Sequence, residues 1–263
     1  MKVLQVAPGY CGVPPTHGGA VERHIVCISD EMRRQGIDIT IIARRSSRKR
    51  PDIVYLGPAV GDANLLSKIL NAMSYTLNVR RFISANQFDV VHIHGGIVGF
   101  IQSHLLHGRP KMVLTVHNLY LFSRNPIMRA LAWLVESRSC KRVDGVIAVS
   151  RAMERMLTCK TGKACITNIP SGADLNPQHV RRAEIRAELD FSHSRVLLFV
   201  GRVIPEKGVH ILVEAMKHLR KKYGADSPKL VIAGPPSSSF TRKPSSYFNA
   251  VMKLIHELDL EDS

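Results

Sequence analysis

Several features that define common protein classes are missing from this chain of 263 residues. The five cysteines are scattered with no C-x-x-C pair, which argues against a disulfide scaffold or a zinc ribbon and predicts reduced thiols in a cytosolic protein. The longest stretch without Asp, Glu, Lys or Arg, residues 90–108, contains four histidines and four glycines and is too polar to span a membrane. Residues 1–8 lack a cleavage-site pattern, which favours a first strand over a signal peptide.

Acidic and aromatic residues are also scarce. Lys and Arg outnumber Asp and Glu by 37 to 21, which gives a net charge of +16, and aromatic residues make up only 6% of the chain. Such an excess suits nucleic acid, an anionic membrane surface or a small anionic substrate. The densest basic run, residues 44–50, is either a solvated loop or a contact for a phosphate-rich surface. Because it has no interleaved aromatic residues to stack on bases, we expect no nucleic-acid partner.

Motifs of several cofactor- and metal-dependent enzymes are absent. No G-x-G-x-x-G follows the first predicted strand, so a nicotinamide or flavin site has no support. Gly162-Lys163 lacks the flanking residues of a phosphate-binding loop. There is no H-E-x-x-H, no G-x-S-x-G and no Asp-x-Asp pair after a strand. The sequence therefore predicts neither a metal site nor a bound cofactor.

Apolar strand-like runs alternate with helical patterns along most of the chain. This pattern is typical of a parallel sheet covered on both faces, so we expect an α/β fold with a doubly wound domain over residues 1–175. A polar, charged segment, residues 176–194, is predicted as a linker. The alternation restarts over residues 195–263 with only two strands and two helices, too few for a stable sheet domain. The predicted strands are residues 2–7, 37–43, 52–56, 90–93, 113–116, 145–149, 164–169, 196–200 and 230–233.

Two loops lie between a predicted strand and a predicted helix. The first, THGGAVERH, contains Gly18 and Gly19, which let the backbone approach a ligand next to the unpaired N–H groups of a helix N-terminus. It indicates an anion site or a simple turn. The second, VGRVIPEKGV, carries Arg202 and Lys207 beyond the carboxyl end of a strand, where ligands of open α/β sheets bind. Two such cations suit a diphosphate, and solvated side chains on a loop are the alternative.

Histidine is concentrated near predicted strand ends. His117 ends an apolar strand and opens a loop, so we expect its side chain to point into a cleft. A contact with a ligand and an ordinary hydrogen-bonded core position are equally compatible with this placement. His92 and His94 alternate on their strand and are weaker candidates, and His17 lies in the glycine-containing loop.

Together these motifs resemble glycosyltransferase family 4, a group of retaining enzymes with two Rossmann-like domains in the GT-B architecture. The matching stretches follow one another in order over nearly the whole chain. They are HGGAVE from His17, DVVHIHG from Asp89, TVHN from Thr115, VIAVS from Val146, IPSGAD from Ile169, FVGRVIPEKG from Phe199 and LVIAG from Leu230.

The resemblance implies roles for particular residues. It implies a nucleotide-sugar donor, which Gly18 and Gly19 approach through their backbone. Arg202 and Lys207 would bind its diphosphate and stabilise the charge on the departing nucleotide, which removes the need for a metal. His117 would be the catalytic residue, near the transferred sugar or the acceptor. From the basic N-terminal part of the chain, and not from the resemblance, we expect a glycan or lipid-linked acceptor, in cell-envelope or exopolysaccharide biosynthesis.

One part of the family pattern is not found. The family's second domain carries a Glu-x7-Glu pattern whose carboxylates hold the donor sugar and the ribose, and no such region precedes Ser263. We therefore expect an incomplete second Rossmann-like domain and a chain that is a weak or inactive transferase by itself. A truncated, non-catalytic member of the family is the alternative. We expect a cytoplasmic protein, at the inner face of the plasma membrane if its basic N-terminal part contacts anionic lipid.

Overall fold

The computed structural model divides into two compact units, Met1–Ala173 and Asp174–Ser263. The structure describes residues 1–9, 11–15, 19–58, 65–106, 108, 110–117, 126–162, 165–172, 181–191, 194–236 and 244–261. No helix in these ranges is long and apolar enough to cross a membrane.

The first unit is built on a seven-stranded sheet with the order β3-β2-β1-β4-β5-β6-β7, in which every neighbouring pair is parallel. Its strands are β1 (Lys2–Val6), β2 (Asp38–Arg45), β3 (Ile53–Pro58), β4 (Val90–His94), β5 (Lys111–Val116), β6 (Gly145–Ala148) and β7 (Ile166–Asn168). Each overlaps an apolar run that predicts a strand. The order places β4 at the centre, next to β1, and the prediction of a doubly wound α/β fold is confirmed.

Helices lie on both faces of this sheet. They are α1 (Ala20–Arg34), α2 (Leu65–Ala85), α3 (Ile97–Leu105), α4 (Pro126–Arg142) and α5 (Arg151–Thr161). Because side chains alternate along a strand, each face of the sheet has its own core. On one face, Ile25 of α1 packs with Ile39 and Ile41 of β2. On the other, Tyr75 of α2 and Leu157 of α5 belong to one cluster with the opposite residues of the central strands, Leu4, Val6, Ile93, Leu114 and Val116.

The connection from β4 to α3 is unusually tight. A Cβ atom added to Gly99, in the first turn of α3, would lie 2.2 Å from the carbonyl oxygen of His94. Only glycine therefore lets the helix begin directly against the end of the strand. This close approach fixes the turn at Gly95 and Gly96, which carries the chain away from the carboxyl end of β4.

The basic run of residues 44–50 is divided between the interior and the surface. Arg44 is buried, with its guanidinium 4.8 Å from the ring centroid of Tyr75. Arg50 lies between two carboxylates, 2.7 Å from Asp30 and 2.8 Å from Asp52. The basic side chains of the run that remain exposed are Arg45, Arg48 and Lys49. The run is therefore not a continuous cationic loop, because two of its arginines are used to hold the fold together.

In the described part of the second unit, the strands β8 (Val196–Val200) and β9 (Lys229–Ala233) pair in parallel, as predicted. The helices are α6 (Arg182–Glu188), α7 (Val209–Tyr223) and α8 (Ser246–Glu257), of which α6 lies inside the segment predicted as a linker. Residues of α7 and α8 cover one face of the two strands. On β8, Leu198 and Val200 remain 64% and 75% exposed.

Candidate functional site

The glycine-containing loop after β1 enters α1 through Gly19, whose φ of 71° is in the left-handed region. A Cβ atom at this position would lie 2.7 Å from Cβ of Pro15 and 3.1 Å from a carboxylate oxygen of Glu22. The conformation and the space therefore both require glycine. Gly18 and His17, predicted in the same loop, lie outside the described residues.

The first turn of α1 buries a carboxyl group beneath this loop. Glu22 is 4% exposed, and burial raises the pKa of its side chain. The same carboxyl group hydrogen-bonds with Cys11, and burial together with the charge of Glu22 raises the pKa of the Cys11 thiol to about 12. Cys11 is thus a packed, protonated thiol and not a nucleophile.

Four histidines lie close together near the carboxyl ends of β4 and β5. His94 Nδ1 is 2.9 Å from His117 Nε2, and the two rings stack with their centroids 5.1 Å apart. The ring of His24, from α1, is almost perpendicular to that of His117 at 5.0 Å. Next to them, His92 Nε2 is 2.7 Å from the hydroxyl of Thr115. The structure therefore joins the predicted site residue His117 to both weaker candidates, and adds His24.

Strand register explains why these side chains meet. His92 and His94 are two residues apart on β4, so both face the sheet side covered by α1. His94 is the register partner of Thr115, and His117 follows Thr115 by two residues on the same side. The buried face of α1 is correspondingly polar in part, since Glu22 and Ser29 are buried with Ile25.

Burial keeps these imidazoles neutral. Burial, with a smaller contribution from neighbouring imidazoles, lowers the pKa of His92 to about 3 and that of His117 to about 4. The pKa of the fully buried His94 is also well below its usual value, and burial lowers the pKa of His24. At neutral pH the cluster can therefore exchange hydrogen bonds with a ligand but offers no positive charge.

A second buried carboxyl group supports the turn that follows His94. Glu136, from α4, is 4% exposed and accepts a hydrogen bond from the backbone N–H of Gly96, and burial raises its pKa to about 7. A Cβ atom added to Gly95 would lie 2.9 Å from Oε1 of this carboxyl group. The Gly95 N–H also donates to the Thr115 carbonyl at 2.8 Å. Glu136 thus helps to hold the turn after β4 in place.

In the second unit, Arg202 and Lys207 both lie beyond the carboxyl end of β8, as predicted, and both are exposed. Between them the chain forms a short 3₁₀ turn, Pro205–Lys207, before Gly208 opens α7. The backbone is closely constrained here, because a Cβ atom on Gly234 after β9 would lie 1.8 Å from the Gly201 carbonyl oxygen. The two cations therefore extend from a well-defined loop.

A histidine outside the predicted site residues lies in the first turn of α7. Nδ1 of His210 is 2.7 Å from the hydroxyl of Tyr247, in the first turn of α8. The same hydroxyl accepts a hydrogen bond from the His210 backbone N–H at 3.2 Å. This pair ties together two helix N-termini.

Within the described ranges there is no group of three or more His, Cys, Asp and Glu side chains arranged to hold a metal ion. The roles of Gly18, Gly19, His117, Arg202 and Lys207, and the absence of a metal requirement, stay predictions.

Comparison with known proteins gives two family matches that together span most of the chain. Residues 18–177 match the model described as Glycosyltransferase Family 4, and residues 181–263 match Glycosyl transferases group 1. The chain is 27% identical to a D-inositol 3-phosphate glycosyltransferase from Kineococcus radiotolerans, over 93% of this chain and 61% of that protein. It is 22% identical to a lipopolysaccharide 1,2-N-acetylglucosaminetransferase from Salmonella typhimurium, over 98% of this chain and 66% of that protein.

Solved structures show the same fold. Sucrose-phosphate synthase from Thermosynechococcus elongatus superposes with a TM-score of 0.78 at 17% identity, over 100% of this chain and 69% of that one. Anabaena Alr3699/HepE in complex with UDP and glucose gives a TM-score of 0.70 at 18% identity, over 100% of this chain and 67% of that one. The chain spans about 61% of the length of the inositol-phosphate relative.

Proposed function

This chain belongs to Glycosyltransferase Family 4, and on that premise we propose that it transfers a sugar from a nucleoside-diphosphate sugar to a glycan or lipid-linked acceptor, with retention of configuration. The observation that carries the proposal is the pair of exposed cations, Arg202 and Lys207, on a constrained loop beyond the carboxyl end of β8. The second family match covers this loop as well.

The two cations supply what the chemistry of the donor demands. Cleavage of the sugar–phosphate bond leaves negative charge on the nucleoside diphosphate, and stabilising developing charge is usually the largest catalytic contribution of a protein. Arg202 can bind two phosphate oxygens at once, and Lys207 adds a compact charge. Since these side chains take the place of a divalent cation, we propose that transfer needs no metal. A rate that survives a chelator would support this, and a strict requirement for manganese or magnesium would contradict it.

The first unit contributes uncharged groups. At Gly19 the backbone can approach a ligand without a side chain between them, and Gly18 shares this role in the proposal. His117, neutral at pH 7, would contact the transferred sugar or the acceptor through a hydrogen bond. A neutral site of this kind is suited to hydroxyl groups, while the cations of the second unit are suited to phosphate.

The acceptor is proposed from the relatives. Their names specify an inositol phosphate in one case and lipopolysaccharide in the other. We therefore place the reaction in the biosynthesis of cell-envelope or exopolysaccharide molecules, on the cytoplasmic side, where nucleotide sugars are the donors.

Calorimetric titration tests the donor site directly. Uridine, guanosine and adenosine diphosphate would be titrated into the full chain, and Arg202→Ala should weaken the one that binds by about 10- to 100-fold, from about 1.5–3 kcal/mol per charge-assisted contact. Arg182→Ala, at an exposed arginine of α6, is the control and should leave affinity unchanged. Equal affinity of Arg202→Ala and the wild type would contradict the role of Arg202. Binding without turnover would favour the non-catalytic alternative.

A specific surface supports peripheral contact with an anionic membrane. On α2, Leu66 and Leu70 are 67% and 57% exposed, and Met73 and Leu77 continue the same stripe. Arg80 and Arg81 follow on the exposed side of the helix. Apolar side chains next to basic ones are suited to the interface of a bilayer with anionic lipids, where each basic residue contributes about 1 kcal/mol.

Liposome sedimentation separates this contact from simple adhesion. Binding should rise with the fraction of anionic lipid, fall with salt, and decrease in a Leu66→Ser, Leu70→Ser variant. Ile211→Ser, at an exposed apolar residue of α7, is the matched control. Equal binding to neutral and anionic vesicles would contradict the electrostatic part of the proposal.

A further inference from the structure

The hydrogen bond between His94 and His117 can contain only one proton. Both imidazoles are neutral, so each carries a single N–H, and the 2.9 Å contact joins Nδ1 of His94 to Nε2 of His117. Either His94 donates from Nδ1, or His117 donates from Nε2. The other nitrogen of His117, Nδ1, is the one left for a ligand. In the first arrangement it carries a proton and can donate, and in the second it has a lone pair and can accept.

The burial of His94 distinguishes these arrangements. His94 is fully buried, and its Nε2 atom has no hydrogen-bond partner within the described part of the chain. If His117 donated, the proton of His94 would have to sit on Nε2, as a buried N–H without an acceptor. If His94 donates, Nε2 is an unpaired acceptor. Buried donors without acceptors are rarer in folded proteins than buried acceptors without donors.

We propose that His94 is a positioning residue that donates from Nδ1 to His117, and thereby fixes His117 as the tautomer with its proton on Nδ1. In this form His117 presents an N–H donor, and not a lone pair, to whatever occupies the site. Within the described residues no group accepts a hydrogen bond from this Nδ1, and His24 packs edge-on against the ring. The orientation of the imidazole and the position of its proton are then both set by neighbouring side chains.

The consequence for the reaction rests on the proposed function. A neutral N–H donor can bind a sugar hydroxyl or a phosphate oxygen of the donor. It cannot take a proton from an acceptor hydroxyl, so His117 would not be the general base. The substrates recognised in this way are those that present an oxygen acceptor at this point.

Nuclear magnetic resonance of the wild-type chain labelled with ¹⁵N-histidine tests the tautomer without any substrate. Long-range ¹H–¹⁵N correlation at pH 7 should show a protonated Nδ1 and an unprotonated, downfield Nε2 for His117. Isolated histidine favours the proton on Nε2, so the Nδ1 form would report the constraint from His94. A protonated Nε2 in the majority form of His117 would overturn the proposal.

Two variants identify the group responsible. His94→Leu removes the donor and should return His117 to the Nε2–H form, while His94→Asn keeps an N–H donor and should retain the Nδ1–H form. His218→Asn, at an exposed histidine of α7, is the control and should leave the His117 resonances unchanged. If His117 keeps the Nδ1–H form in His94→Leu, His94 is not the positioning residue. Should His94→Leu fail to fold, the wild-type spectrum still decides the tautomer.

The same spectra, recorded with and without UDP-glucose, test whether His117 contacts a ligand. On addition, the His117 Nδ1–H proton should shift downfield and exchange more slowly with solvent, because it gains an acceptor. Failure of UDP-glucose to bind at all would count against the proposed donor class and leave the tautomer assignment standing. Binding with no change at His117 would overturn the assigned contact while leaving the donor class intact.

Discussion

The buried carboxyl group of Glu136 should make the stability of the first unit depend on pH in a way that a single substitution removes. Burial raises the pKa of Glu136 from 4.5 to about 7, although the hydrogen bond from the Gly96 N–H lowers it in part. The folded state therefore holds a proton that the unfolded chain releases between pH 4.5 and 7. The bound proton stabilises the folded state below pH 4.5, and this stabilisation is lost as the pH rises through 7.

The magnitude follows from the two pKa values. When the folded and unfolded pKa differ by one, the stability changes by about 1.36 kcal/mol, so a group that titrates at about 7 when folded and 4.5 when unfolded loses about 2.5 kcal/mol between pH 5 and pH 8. Glu136→Gln keeps the shape and an acceptor for Gly96 but does not titrate. The free energy of unfolding of the variant relative to the wild type should therefore rise by about 2.5 kcal/mol over this interval, whatever constant offset the substitution adds.

Urea unfolding followed by tryptophan fluorescence measures this difference. The chain contains one tryptophan, Trp133, on the same helix as Glu136 and packed against the core of the first unit, so the signal reports that unit. Glu214→Gln, at an exposed glutamate of α7, is the control and should give curves parallel to the wild type. Parallel curves for Glu136→Gln across pH 5 to 8 would refute the reasoning, because they would show that the carboxyl group does not hold its proton on folding.

Two more changes test the geometry of the first unit. Burial lowers the pKa of His117 to about 4, so the imidazole resists protonation in the folded state and its contribution to stability is lost as the pH falls below 6.5. His117→Asn should therefore reduce the slope of the unfolding free energy against pH by about 1.2 kcal/mol per pH unit between pH 6 and 4.5, and an unchanged slope would contradict the pKa. Gly19→Ala should cost about 1–3 kcal/mol in urea unfolding because of its positive φ and the 2.7 Å approach to Pro15. Gly36→Ala, which has a similar φ but nothing within 4 Å, should cost less, and equal costs would mean that the close contact is unimportant.

Strand positions could be predicted from the sequence because the central strands are buried on both faces. In β5, Met112, Leu114 and Val116 face one core while Thr115 is buried on the other, so the apolar run is almost continuous. Such runs are visible without knowledge of any neighbour. The usual right-handed crossover connections restrict the possible strand orders but do not select one of them, so the order itself could not be predicted.

The polar side chains on the buried face of α1 could not be predicted in the same way. Apolar spacing favours a buried stripe of Val21, Ile25, Ile28 and Met32. Of these four, Ile25 alone is fully buried, in company with Glu22 and Ser29. The physical reason lies on another element, since this face of the sheet contains the histidines of β4. A polar side chain inside a helix shows its role only when its partner across the interface is known.

Glu136 escapes prediction for a related reason. It lies 40 residues along the chain from Gly96, and nothing in the local pattern of α4 distinguishes it from a surface glutamate. The sequence does contain an indirect signal, the pair Gly95-Gly96 directly after a buried strand. Small residues at that point indicate that another group occupies the space, and here that group is a carboxyl group from a neighbouring helix.

The distribution of charge also separates what composition can predict from what it cannot. A net charge of +16 suggests a strongly basic site, yet the histidine cluster of the first unit is neutral. The same unit also buries two carboxyl groups, Glu22 on α1 and Glu136 on α4. Two of the five basic residues in the run 44–50 are used internally, in the contact of Arg44 with Tyr75 and the ion pairs of Arg50. Under the proposed function this separation has a chemical reason. Phosphate needs cations, which Arg202 and Lys207 provide, whereas a sugar hydroxyl is discriminated by the direction of a neutral hydrogen bond, which a protonated imidazole would not define as strictly.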